Sequence, residues 1–180
     1  MKKGIIMKKE FKGCIEFHGH ACPGLAIGYQ AYLYFLEHTN IDMFSLDEEI
    51  VCISENDSCA VDALQYSLGC TVGKGNMMIN MVGKMAFSFY VRDQKIAFRI
   101  VLKPLPEMSK TDKLRYILNQ NPKDLFTITA VNEPLPKKAR IYANMKCPMC
   151  HEYFAEPLKK VHQGVEMCAT CFKERNHEFY

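Results

Sequence analysis

The sequence predicts an α+β fold: an antiparallel sheet packed with helices, followed by a small treble-clef or ribbon-like unit held by cysteines. Three observations predict it. Residues 85–91 and 95–102 are alternating, aromatic and β-branched, and Arg92-Asp93-Gln94 joins them, the pattern of a β-hairpin. Strand-like and helix-like stretches do not alternate regularly, which disfavours a doubly wound parallel sheet. Near the end, Cys147-Pro-Met-Cys150 and Cys168-Ala-Thr-Cys171 form two C-x2-C pairs with seventeen residues between them.

The first stretch of note is Phe17-His18-Gly19-His20-Ala21-Cys22-Pro23-Gly24. In an extended segment, His18, His20 and Cys22 point to the same side, because alternate side chains do. Pro23 suits the first turn of a helix, where its missing N–H costs nothing. Cys22 then takes the N-cap, where free N–H groups and the helix dipole favour a thiolate. Two imidazoles and a thiolate suit zinc or a related transition metal. The plain alternative is a buried Cys and two structural His around a turn; three strong donors within five residues weigh against it.

Before this stretch, residues 1–16 read as a short basic lead and an entry segment bearing Phe11 and Ile15. After it, a helix is expected over 23–38, apolar nearly all round and therefore buried. Gly24 and Gly28 lie four apart on it and admit close approach of another element. Residues 49–54 read as a short β-branched strand. Glu55-Asn-Asp-Ser58 is a cluster of turn and N-cap residues that opens a helix over 59–68, stopped by Gly69. Cys59 opens that helix, with Asp62 and Tyr66 on the same face at i+3 and i+7. Asp62 reads as a general base or as a partner to a His ring, and equally as a solvated helix carboxylate.

Gly69-Cys-Thr-Val-Gly-Lys-Gly-Asn76 tempts a phosphate-loop reading. The glycine spacing is short, and Gly75 stands where magnesium needs Ser or Thr, so a flexible loop over a site is expected instead. Residues 109–119 carry an N-cap signal and an apolar face, so a helix is expected; 125–131 reads as a strand. Asn132 to Ala139 is Pro-bearing and basic, which places a domain boundary between 1–136 and 137–180.

A tail of about 35 residues is too short to hold a core without a staple. Two C-x2-C pairs at this separation match a structural zinc site of Cys147, Cys150, Cys168 and Cys171. Its expected form is a knuckle, a hairpin through 157–165, and a second knuckle leading into a helix from Phe172. Cys147-x-x-Cys150-His151 also matches a haem-attachment pattern, and each pair matches a dithiol redox centre; both readings leave the other pair without a role.

The chain has 180 residues, 48% hydrophobic and 24% charged, which allows one full core and a small second module. A net charge of +3 is too mild to argue for nucleic acid. Lys137, Lys138, Arg140, Lys146, Lys159 and Lys160 do supply charge near the tail. No run approaches the roughly 20 apolar residues of a membrane span, and none near the start suits a secretory signal. A cytoplasmic protein is the expectation. Nine cysteines there point to metal or reactive thiols, and an odd count argues against complete pairing.

Two blocks carry a resemblance. His18-Gly-His20-x-Cys22-Pro-Gly-Leu25 with Gly28, and Cys59-x-x-Asp62-Ala-x-Gln65 followed by Gly69-Cys-Thr-x-Gly-Lys-Gly75, together resemble the FmdE family, which takes its name from formylmethanofuran dehydrogenase. The tail is similar to a zinc-finger extension of some members. The resemblance implies an α+β core that pairs as a homodimer and binds a metal near the His-Cys block. It implies association with a molybdenum or tungsten oxidoreductase, in an accessory role, without carrying over the dehydrogenase reaction. It further implies that His18, His20 and either Cys59 or Cys22 ligate one core metal, zinc or another transition ion. An open coordination position would leave Cys59, Asp62 and Cys22 as catalytic candidates in redox or hydrolytic chemistry. Gln65 and Lys74 are then candidates to orient a bound anion. Cys70 is a resolving or ligating thiol or a small core residue; Cys14 and Cys52 are assigned to the core.

Overall fold

The computed structural model describes residues 10–41, 44–131, 133–138 and 141–176. The basic lead at 1–9, together with residues 42–43, Asn132, Ala139, Arg140 and residues 177–180, lies outside them. The chain divides into two compact units, Met1–Ala139 and Arg140–Tyr180.

Unit one opens with α1 (Phe11–His18). The sequence suggests only an entry segment here, with an extended run from His18 to Cys22, but Phe11, Cys14, Ile15 and His18 recur at i, i+3, i+4 and i+7, a helical stripe. Gly19 ends the helix in the left-handed region at φ +95°, its N–H bonding Ile15 O at 2.7 Å. His18, Gly19 and His20 therefore do not share an extended strand. Helix α2 (Pro23–Thr39) follows, with Pro23 in its first turn and Cys22 as N-cap. It is buried along most of its length, and Gln30 Nε2 donates to Ile117 O at 2.7 Å.

Strand β1 (Ile50–Ser54) leads into α3 (Ala60–Leu68), and β2 (Met77–Ile79) returns parallel to β1. The glycine-rich segment makes this return possible. Gly69 and Gly75 adopt φ +71° and +77°, and the Asn76 side-chain amide donates to Ser45 Oγ, Asp47 O and Ile50 O at 3.1, 3.0 and 2.9 Å. The hairpin is β3 (Ala86–Val91) and β4 (Ile96–Leu102), joined by a 3-10 turn over Arg92–Gln94. Helix α4 (Lys110–Asn119) is capped by Ser109; a short α5 (Pro122–Leu125) feeds β5 (Phe126–Thr129).

The sheet runs β2-β1-β3-β4-β5, antiparallel except for the β1–β2 pair. The sheet is thus antiparallel as expected apart from this one pair, for which α3 supplies the crossover that parallel strands require. One sheet face packs on the helices. Phe35 of α2 lies 5.5 Å from Phe89, which lies 5.4 Å from Phe98, ring centroid to centroid. Burying each such ring contributes roughly 1.5–3 kcal/mol. The other face carries Val51, Ile53 and Tyr90 and a buried ion pair, Arg99 Nη2 to Glu55 Oε2 at 2.9 Å. Arg99 donates a second bond to the same carboxylate through Nε.

In unit two, β6 (Asn144–Lys146) and β7 (Tyr153–Ala155) pair around the first cysteine knuckle. Strands β8 (Lys160–His162) and β9 (Val165–Met167) form a hairpin turned by Gln163 and Gly164, both with positive φ. Helix α6 (Ala169–Asn176) begins three residues before the expected Phe172, so Cys171 sits inside its first turn. This is a treble-clef-like arrangement: knuckle, hairpin and helix around four sulfurs. Among the described residues no helix is long and apolar enough to cross a membrane.

Candidate metal centre

In unit one, three helix ends meet. His18 closes α1, Cys22 caps α2 and Cys59 precedes α3. Glycines let them meet. A Cβ on Gly28 would lie 2.2 Å from Ala60 O, and one on Gly24 would lie 3.2 Å from the Cys59 Cβ. Gly13 does the same for α1, since a Cβ there would overlap the Tyr66 ring. The loop into α3 is fixed by its own polar groups, with Ser58 Oγ donating to Asn56 Oδ1 at 2.6 Å and Asn56 Nδ2 to Lys84 O at 2.8 Å.

A ligand atom from each of His18, Cys22 and Cys59 lies within 4.8 Å of the others. Cys22 Sγ accepts from Leu25 N at 3.3 Å, the expected cap, and stands 3.9 Å from His18 Nε2. The other ring nitrogen, Nδ1, lies 2.7 Å from Asp62 Oδ2. A carboxylate at Nδ1 places the proton there and leaves Nε2 with its lone pair toward the sulfurs. Burial, reinforced by the hydrogen bond and charge of Cys22, raises the Cys59 thiol above its ordinary range. Two thiols crowded together in this way are the donor set that a soft or borderline cation relieves, because it replaces their protons. The residues present therefore fit a metal ion.

The sequence leaves open whether Cys22 or Cys59 supplies sulfur; the structure brings both to the group. His20 lies outside the three-donor group, exposed, its ring beside that of His18 with centroids 4.6 Å apart. Asp62 sits at the edge, its side chain 37% exposed against 12% for His18. Gln65 stands behind it: Nε2 donates to Asp62 Oδ1 at 3.3 Å, and Oε1 accepts from Val72 N at 3.4 Å. Gln65 thus ties the glycine-rich segment to the carboxylate that orients His18. Nothing in the sequence marks this role beyond its i+3 spacing from Asp62. Lys74 donates to Ser45 O at 2.6 Å, with its ammonium 5.9 Å from the Phe44 ring centroid. The structure commits it to anchoring its own loop.

The remaining core thiols stay in the interior. Cys14 Sγ contacts Ser67 Oγ at 3.4 Å, and burial raises its pKa. Cys70 donates to Ile50 O at 3.4 Å, and burial pushes its thiol up to about 12. Complete burial raises Cys52 well above the usual thiol range.

In unit two, Cys147, Cys150, Cys168 and Cys171 bring their sulfurs within 4.8 Å of one another. Cys150 and Cys168 are 3.8 Å apart, and Cys171 N donates to Cys168 Sγ at 3.5 Å. The backbone N–H of Cys168, helped by those of Cys150 and Met149, pulls the Cys147 thiol down to about 6. Burial and the neighbouring sulfurs push Cys171 up to about 12. Four sulfurs this close, with backbone donors favouring negative charge, could hold a metal ion in a closed four-sulfur site.

A solved structure from Syntrophus aciditrophicus, a tungsten formylmethanofuran dehydrogenase FmdE-like protein, shares the fold with TM-score 0.67 and 22% identity over 100% of both chains. A probable S-adenosyl-L-methionine-binding protein of Archaeoglobus fulgidus is 34% identical over 80 residues. That stretch is 43% of this chain but only 22% of the relative, so the chain spans about a fifth of that protein. The family model FmdE, described as molybdenum formylmethanofuran dehydrogenase operon, matches residues 17–151, from the residue before His18 through the first cysteine pair of unit two. The chain belongs to the FmdE family.

Proposed function

We propose that unit one is a metal-binding domain in which His18, Cys22 and Cys59 hold one zinc or related transition ion, and that unit two holds a second, structural zinc through its four cysteines. The observation that carries the core reading is the Asp62–His18 pair, which frees Nε2 toward two sulfurs at helix N-termini. His18, Cys22 and Cys59 would hold an ion with room for one further ligand, and the ion would supply Lewis-acid or redox chemistry there. Asp62, partly open to solvent, holds the imidazole through Nδ1 and is the candidate general base of the site. Were His20, whose ring lies beside that of His18, to join as a fourth donor, the site would be closed and structural instead. Gln65 keeps Asp62 in place. The protein acts as a cytoplasmic homodimer in this reading, and unit two makes contacts with a partner.

A second reading has support from the family description, which names an operon: the chain is a non-catalytic accessory subunit of a molybdenum or tungsten oxidoreductase. A regulatory zinc finger is the weakest, since the net charge is only +3.

Elemental analysis tests the core reading. Wild type is expected to carry about two ions per chain, one per cysteine-bearing group, and Cys59→Ala about one, with its circular dichroism unchanged. One ion in both proteins overturns it. Cobalt substitution then separates the readings. A core spectrum that shifts on adding small anions supports an open position, and an unresponsive one, with co-purification of a larger enzyme, supports the accessory role.

A further inference from the structure

Cys22 and Cys59 differ from every other pair of cysteines in unit one. They converge on one point, while Cys14 is bonded to Ser67, and Cys52 and Cys70 lie wholly inside the core. Their sulfurs lie within 4.8 Å of each other, brought there by the glycine-mediated approach of α2 to the start of α3. The two also differ from each other. Cys59 is half-buried and reachable; Cys22 is 5% exposed and is held on Leu25 N. An accessible thiol beside a shielded one is the arrangement of an attacking and a resolving cysteine.

We infer that Cys59 and Cys22 form a reversible intramolecular disulfide, with a low-molecular-weight disulfide as oxidant, and that this bond empties the core metal centre. The emptying rests on the metal reading above; the bond itself does not. In the first step the Cys59 sulfur attacks one sulfur of the small disulfide. The S–S bond of the oxidant breaks, one small thiol leaves with a proton, and a mixed disulfide remains on Cys59. In the second step Cys22 attacks the Cys59 sulfur and expels the second small thiol. His18 Nε2, 3.9 Å from Cys22 Sγ, is placed to accept the Cys22 proton and pass it to that leaving sulfur. In sum, two protein thiols become one disulfide and one small disulfide becomes two thiols, a two-electron exchange. Two of the three donors are lost at once, while the His18–Asp62 pair is untouched. A small dithiol reverses both steps.

The test uses the full chain, stripped of metal with a chelator and exposed to oxidised glutathione, then cut and mapped under non-reducing conditions. The map separates the core cysteines from the four of unit two. The expected product joins the peptide of Cys22 to that of Cys59. Cys22→Ser is expected to stop at a stable glutathione adduct on Cys59. Cys59→Ser is expected to leave Cys22 unmodified, and both variants are checked for folding by circular dichroism. Reloading with zinc is expected to slow formation of the bond at least about tenfold, because the ion occupies the same lone pairs. Glutathione adducts on Cys59 without the Cys22 link in wild type overturn the proposal, as does a link to Cys14 or Cys70 instead. Failure to bind metal with the link present sinks only the metal reading; metal binding without the link sinks only this one.

Discussion

In unit two, the cysteines are most of the core: Cys147, Cys168 and Cys171 are buried with Met167, and Phe154 and Phe172 pack against them. In unit one, the three donors sit on helices that the Phe35–Phe89–Phe98 stack and its neighbours already hold to the sheet. The same chemical group, a thiol at a helix end or knuckle, therefore has two different relations to folding. Where sulfur is the core, a bound metal would be a condition of the fold. Where sulfur decorates a core, a metal would be cargo on a finished frame, and the site could lose it and survive.

Chelation gives the largest separation between the two units. Removing metal from the full chain is expected to unfold unit two and leave unit one folded, because structural zinc supplies roughly 10–16 kcal/mol to small domains of this kind. Hydrogen exchange checks this region by region. If unit one opens with unit two, the contrast fails.

Gly28→Ala comes next. A Cβ would meet Ala60 O at 2.2 Å, so α3 must shift away from α2 and carry Cys59 with it. A loss of about 1–3 kcal/mol is expected in denaturant unfolding of unit one, with unit two unaffected. Asp62→Asn is the finest probe. Core metal affinity is expected to fall about 10–100-fold, read by competition with a chromophoric chelator, without loss of fold. An unchanged affinity would make Asp62 the solvated carboxylate that the sequence also allows.

Legibility in the sequence follows the same division. The tail's donors are plain because two C-x2-C pairs at this separation match a four-cysteine metal site. The hairpin at 86–102 is plain because its alternation is long. The run from His18 to Cys22 reads as extended because its donors fall at alternate positions, and this hides the helical spacing of Phe11, Cys14, Ile15 and His18. Strand β2 has three residues, too few for a pattern, and takes its identity from pairing with β1. The choice between Cys22 and Cys59 stays open in the sequence because it depends on how α2 and α3 cross, which the glycines permit without announcing. Gln65 acts through a tertiary contact with Val72, for which a single sequence carries no signal.

The Arg99–Glu55 pair gives the sheet a dependence on proton concentration. Its hydrogen bonds from Arg99 hold the Glu55 carboxyl below the usual range, against burial, and the same contact raises Arg99. A carboxyl with a depressed folded pKa stabilises fully above its unfolded value of about 4.3, and that contribution is lost as pH falls through the folded value. Wild type is therefore expected to exceed Glu55→Gln in stability by the most near neutrality, with the gap closing below about pH 4. The frame that carries the candidate metal centre thus has an acid limit of its own, set on the far side of the sheet from the helices that bring Cys22 and Cys59 together.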